Sequence, residues 1–186
     1  MNVLASLTGA LALTIASAAS ADGSPVIVHQ SNAGKLDAQG WTRANVTVGG
    51  ISVDMPCLYT DMNIVDSDNT DQQEHYVNSG SVLICTGPRL TGMAILSSYN
   101  TGAKGADFYF NQKLQSAAKN AKVDSSPYQG WKAYRSVSTK DGHCVWSMSV
   151  RYKDRMVTLT LSGDVADCET LRRDADRMFN SLVLPA

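Results

Sequence analysis

Between residues 131 and 162 apolar side chains alternate with hydroxyl-bearing ones, and the alternation breaks at Asp141-Gly142 and at Lys153-Asp154. A period of two is that of a half-buried strand, and both interruptions are made of turn residues, so the segment predicts a three-stranded antiparallel meander. Closing the first turn with Lys140 opposite His143 brings Val137 to Trp146 and Ala133 to Val150. Closing the second brings Val150 to Val157 and Met148 to Leu159. Trp131, Val137, Trp146, Met148, Val150, Tyr152, Val157, Leu159 and Leu161 then share one face, while Ser136, Ser147, Ser149, Thr158 and Thr160 share the other.

Two segments change to helical spacing. Phe110, Leu114, Ala117 and Ala121 predict a helix over Asp107 to Lys122, with Asp107 as its N-cap and Pro127 barring continuation. Cys168, Leu171, Ala175, Met178 and Leu182 predict a second helix over 167–182 whose apolar stripe lies on the meander, with Glu169 placed to meet Arg173. Upstream, Gly49-Gly50 reads as a two-residue hairpin turn pairing Val48 with Ile51, Val46 with Val53 and Ala44 with Met55, and Pro56 ends the strand. A further hairpin is expected between 73–77 and 81–86, turning at Asn78-Ser79-Gly80, with another strand over Gly92 to Tyr99 after the Gly87-Pro88 break. The expected class is α+β: an antiparallel sheet of hairpins plus the meander, covered by a middle and a C-terminal helix.

Residues 1–21 carry no charged side chain, and Ala19-Ser20-Ala21 precedes Asp22 as a signal peptidase site would. The reading is a secretory signal peptide over 1–21 followed by one domain over 22–186, which places the protein in the periplasm or outside the cell. An even set of cysteines in an oxidising compartment is read as two disulfides. In the meander register Cys144 points inward opposite Gly163, and Cys168 follows shortly at the helix start, so Cys144–Cys168 is one bridge and Cys57–Cys85 the other by elimination. The cysteines contain no CxxC spacing, which argues against zinc and thioredoxin-type chemistry.

Sixteen basic and seventeen acidic residues nearly cancel, which excludes the electrostatic footprint of a nucleic-acid binder or a polybasic membrane patch. Enzyme motifs fail: Ser116-Ala117-Ala118-Lys119 and Ser67-Asp68-Asn69 stand in the wrong order for penicillin-recognising enzymes, and G-x-S-x-G, H-E-x-x-H and the phosphate-binding loop are missing. No cofactor signature is present. His143 beside Cys144 reads as a turn-flanking residue, because strand neighbours point to opposite faces.

Asp61, Asp66, Asp68, Asp71 and Glu74 form an acidic loop with no Lys or Arg between Arg43 and Arg89. It is nominated as a partner-contact region. Asp66, Asp68 and Asp71 are the metal candidates in it, although Asp71 stands where a calcium loop requires Gly and Val77 where it requires Glu. Arg135 falls on the inward face beside Trp146, either in a binding pocket or in a cation–π contact at the sheet margin.

An early hairpin running through Gly50-Ile51-Ser52-Val53-Asp54-Met55-Pro56, a middle helix, a meander containing Arg155-Met156-Val157-Thr158-Leu159-Thr160-Leu161 and a last helix ending in Met178-Phe179-Asn180-Ser181-Leu182 resemble PsbP-like domains. The resemblance implies an α/β sandwich and a binding or assembly role, and it carries over no site residue. The functional expectation is an exported, non-catalytic binding or accessory protein of the periplasm or cell envelope, with a protein or small molecule as partner. The alternatives are a small secreted hydrolase with a dispersed site and a calcium-binding module using residues 61–74.

Overall fold

A computed structural model describes residues 29–33, 35–46, 50–65, 77–99 and 102–185; the signal segment 1–21, Val48, Asp66, Asp68, Asp71 and Glu74 lie outside the described residues. In chain order the strands are β1 (His29–Ala33), β2 (Thr42–Val46), β3 (Ile51–Met55), β4 (Tyr59–Val65), β5 (Val77–Thr86) and β6 (Leu90–Tyr99). Helix α1 (Ala103–Asn120) follows, then β7 (Lys122–Asp124), β8 (Ala133–Lys140), β9 (His143–Tyr152), β10 (Arg155–Asp164) and helix α2 (Cys168–Asn180). Among the described residues eight strands form one antiparallel sheet in the order β1-β4-β5-β6-β10-β9-β8-β7, and β2-β3 is a separate hairpin. This is the α+β class that the sequence pattern predicts.

The meander register is the expected one, with Lys140 opposite His143, Val137 opposite Trp146 and Ala133 opposite Val150. Val150 likewise faces Val157, and Met148 faces Leu159. Asp141 and Gly142 have φ of 51° and 78°, the left-handed pair that matches a two-residue turn to the strand twist. The inward residues Met148, Val150, Val157, Leu159 and Leu161 are at most 2% exposed. Leu171, Ala175, Met178 and Phe179 of α2 close over them, and Ala44, Val46, Ile51, Val53 and Met55 of the hairpin complete the same core.

The opposite sheet face packs under α1 through a smaller cluster of Tyr99, Ala106, Phe110, Tyr134 and Met156. Tyr109 stacks on Tyr99 at 4.9 Å between ring centroids, and burial pushes the Tyr99 phenol up to about 12. The hydroxyl ladder is paired across strands, Ser147 with Thr160 at 3.2 Å and Ser149 with Thr158 at 3.3 Å.

Four upstream or local expectations are corrected. The first hairpin pairs Val46 with Ile51, Ala44 with Val53 and Thr42 with Met55, a slip of two residues from the Gly49-Gly50 closure. An even slip leaves every side chain on its original face, so the hydrophobic pattern does not discriminate between the two registers. Asn78-Ser79-Gly80 is no turn: it lies inside β5, where the pairing with β6 shifts register between Val77 and Ser79, so a bulge absorbs the turn-forming residues. Helix α1 starts at Ala103 with Gly102 as its cap at φ 55°, and Asp107 sits inside the helix bound to Arg151 at 3.1 Å. Glu169 pairs with Arg172 at 3.1 Å rather than with Arg173.

Both disulfides join the expected cysteines, Cys57–Cys85 with Cα atoms 5.5 Å apart and Cys144–Cys168 with Cα atoms 5.6 Å apart. Among the described residues no helix is long and apolar enough to cross a membrane.

Candidate functional site

Two clefts lie at the two ends of α2. The first, about 350 Å³, opens between the hairpin and the C-terminal half of the helix and is lined by Lys35, Asp37, Trp41, Thr42, Arg43, Asp54 and Arg177. Its charges other than Lys35 are paired with one another. Arg177 places its guanidinium 4.3 Å from the Trp41 ring centroid and donates to Asp37 at 3.0 Å and to Gln39 at 2.7 Å. Arg43 pairs with Asp54 at 2.9 Å and also donates to the Ser181 carbonyl at 2.9 Å. The Trp41 and Gln39 backbone N–H groups converge on the Asp37 carboxylate, and that hydrogen bonding, the Trp41 donor first, holds its pKa below the usual carboxylate value with Arg177 assisting. This arrangement fastens the hairpin to α2. Beside it the Thr42 hydroxyl, in a residue 1% exposed, has no hydrogen-bond partner among the described residues.

The second cleft is broader and open, about 640 Å³, at the N-terminal end of α2. One wall is the β5–β6 turn with Arg89; the other is the end of β10 and the short turn Val165–Asp167, bringing in Ser162, Asp164 and Asp167, with His143 opposite. The two disulfides stand behind these two walls. Cys85 is the penultimate residue of β5, just before the turn, and a Cβ placed on Gly87 would lie 4.0 Å from the Cys57 sulfur. Cys144 and Cys168 adjoin His143 and Asp167 on the other side. Walls that are cross-linked in this way hold their shape without a ligand, which lowers the ordering cost of binding.

His143, Ser162 and Asp164 converge here, but they form no relay. Asp164 instead accepts from the Ala166 backbone N–H at 2.8 Å, and among the described residues no side-chain hydrogen bond joins His143 to Ser162 or Asp164. Arg89 and Asp167 line the cleft without an ion-pair partner among the described residues.

The structure distributes the residues nominated from sequence. Asp61 is not a loop residue: it lies within β4, 8% exposed, and accepts a hydrogen bond from Ser81 at 3.2 Å. The acidic loop therefore does not begin at residue 61, because β4 runs to Val65. Arg135 makes its cation–π contact with Phe179 at 5.7 Å rather than with Trp146, and bonds Asp176 and Asn180 at 3.5 and 2.8 Å. It clamps α2 to β8. Among the described residues no group of three or more His, Cys, Asp or Glu could hold a metal ion. Arg89, Asp164 and Asp167 were invisible as a site, since the fold alone brings these separate turns together.

The elements define an α+β sandwich in which one sheet is covered on one face by α2 and the hairpin and on part of the other by α1. No family model and no curated protein matches the chain. Among solved structures it is similar to the solution structure of cyanobacterial PsbP (CyanoP) from Synechocystis sp. PCC 6803, with 14% identity and a TM-score of 0.49 over 83% of this chain and 98% of that chain. It is also similar to a protein of unknown function, PA94, from Pseudomonas aeruginosa, described as a putative regulator, with 14% identity and a TM-score of 0.41 over 79% of this chain and 99% of that one. Both likenesses concern layout, and the α+β class rests on the strands and helices themselves.

Proposed function

We propose that this is an exported, non-catalytic binding or accessory protein of the periplasm or cell envelope, and that it takes its ligand in the cleft at the N-terminal end of α2. The observation that carries the reading is the placement of both disulfides behind the two walls of that cleft. Disulfides form and persist where thiols are oxidised, which agrees with the signal-like residues 1–21. The lack of a proton relay between His143, Ser162 and Asp164 favours binding over hydrolysis.

Native mass spectrometry of protein purified from its own envelope tests this. The expected result is a retained small molecule or partner that is lost from the Arg89→Ala, Asp167→Ala double variant. Retention of the same species by the double variant places the site elsewhere. Turnover of an ester or amide that stops in His143→Ala replaces the binding reading with the hydrolase.

A further inference from the structure

Arg89 and Asp167 line the cleft at the N-terminal end of α2, and among the described residues the side chain of neither makes an ion pair or a hydrogen bond. An aspartate at a helix N-cap ordinarily gives its carboxylate to the backbone N–H groups of the first turn. Asp167 stands at that position of α2 and caps none of them. Arg89 stands on the other wall, and the two walls meet at Gly163 near the end of β10. A Cβ added there would lie 2.7 Å from the Arg89 carbonyl oxygen and 2.9 Å from the Leu171 side chain of α2, so any other residue would push the walls apart. Arg89 and Asp167 also line an adjoining groove beside Leu90 and Leu171. Two opposite charges, unpaired among the described residues, are thus held over one depression.

We propose that the ligand of this cleft is a small zwitterion, an amino acid or a short peptide, whose carboxylate meets Arg89 and whose ammonium meets Asp167. The inference rests on the reading of this cleft as the binding site.

The charges select the class. A purely anionic ligand would pair with Arg89 but bring like charge toward Asp164 and Asp167, and a purely cationic one would meet Arg89 as a like charge. A ligand without charge would take water from both groups and give back no counter-charge. A zwitterion supplies each wall with its opposite, and the planar guanidinium fork of Arg89 fits a carboxylate through two parallel hydrogen bonds. The cleft, about 640 Å³, falls within the size range of small-molecule sites.

Isothermal titration calorimetry of the oxidised protein tests the proposal, with alanine and trialanine as probes, each also in N-acetylated and C-amidated form. The expected result is that a free probe binds and that blocking either end weakens it by about tenfold or more. Tighter binding of alanine identifies a free amino acid as the ligand, and tighter binding of trialanine a peptide. In Arg89→Gln the amide should bind as well as the free acid, and in Asp167→Asn the acetylated form as well as the free amine. Both variants should keep the wild-type melting temperature, because neither side chain holds a bond within the described fold. Binding that is indifferent to blocking overturns the proposal, as do blocking penalties that persist in both variants or failure of every probe to bind up to about 10 mM. If no probe binds while native mass spectrometry still shows a species lost from the Arg89→Ala, Asp167→Ala variant, the cleft stands and the zwitterion falls. A species retained by that variant overturns the site together with its ligand.

Discussion

The two faces of the large sheet use the same strands in opposite ways. On β10, Val157, Leu159 and Leu161 are sealed under α2 and the hairpin, while Thr158 and Thr160 between them face the α1 side and bond to serines of β9. The inner face is a continuous apolar layer whose residues interlock along four strands. The outer face is covered only in part and is held by hydroxyl pairs that water could replace. Stability should therefore be concentrated on one face, leaving the other free to serve as a surface.

Adjacent substitutions on β10 give the most direct test of that contrast. Leu159→Ala should cost about 3 to 4 kcal/mol in urea unfolding, because it opens a cavity between Met148 and Ala94, whereas Thr158→Ala should cost less than about 1 kcal/mol. Equal losses would break it. Next in size are the bridges, which restrain the unfolded chain over separations of 28 and 24 residues. Replacing either cysteine pair by serine should remove about 3 kcal/mol, seen as a lower denaturation midpoint that reductant lowers further by cutting the remaining bridge, while replacing both pairs should make the midpoint indifferent to reductant.

Thr42 sharpens the comparison from the other side, since its unpartnered hydroxyl is an exception on the inner layer. Thr42→Val should raise stability by about 1 kcal/mol, and a fall instead would reveal a hidden hydrogen-bond partner. Asp37 sets the pH response of the hairpin clamp. Its depressed pKa contributes stability that is full above the carboxyl's unfolded value and is lost as pH falls through the folded one. Asp37→Asn should flatten the acid limb of a pH series of melting temperatures without altering it near neutrality in shape. Smallest of all, Asp66, Asp68 and Asp71 changed together to Asn should leave the melting temperature within about 1 °C, the outcome expected from the sequence reading of a loop. Calcium binding lost in that variant would revive the metal reading of residues 61–74.

The meander was legible to the residue because unlike turns, Asp141-Gly142 and Lys153-Asp154, pin it at both ends, and a slip by one would bury its serines. Helix α2 was legible because its stripe is complete. Legibility failed where a signal had two solutions. Gly49-Gly50 permits registers two apart with the same buried face, and Asn78-Ser79-Gly80 can be a turn or, within a strand held on both sides by β4 and β6, a bulge. Strand β4 was missed because Asp61 reads as solvated and is instead buried against Ser81. The cleft was unreadable in principle: Arg89, His143 and Asp167 have no common local pattern, and only the strand order β6-β10-β9 brings them together.

The clamp between the hairpin layer and α2 also bears on the order of folding. Its hydrogen bonds link partners as far apart in sequence as Asp37 and Arg177, separated by 140 positions, whereas the meander closes through two-residue turns. Contacts that span so much chain form slowly. The meander should then assemble first, with one side of its core open to solvent until the hairpin docks. Trp41 reports that step, since it enters its stack with Arg177 only on docking. In refolding, a variant retaining Trp41 as its sole tryptophan should show a fluorescence change that trails the far-ultraviolet signal of the strands, and coincident traces would show that both layers close together.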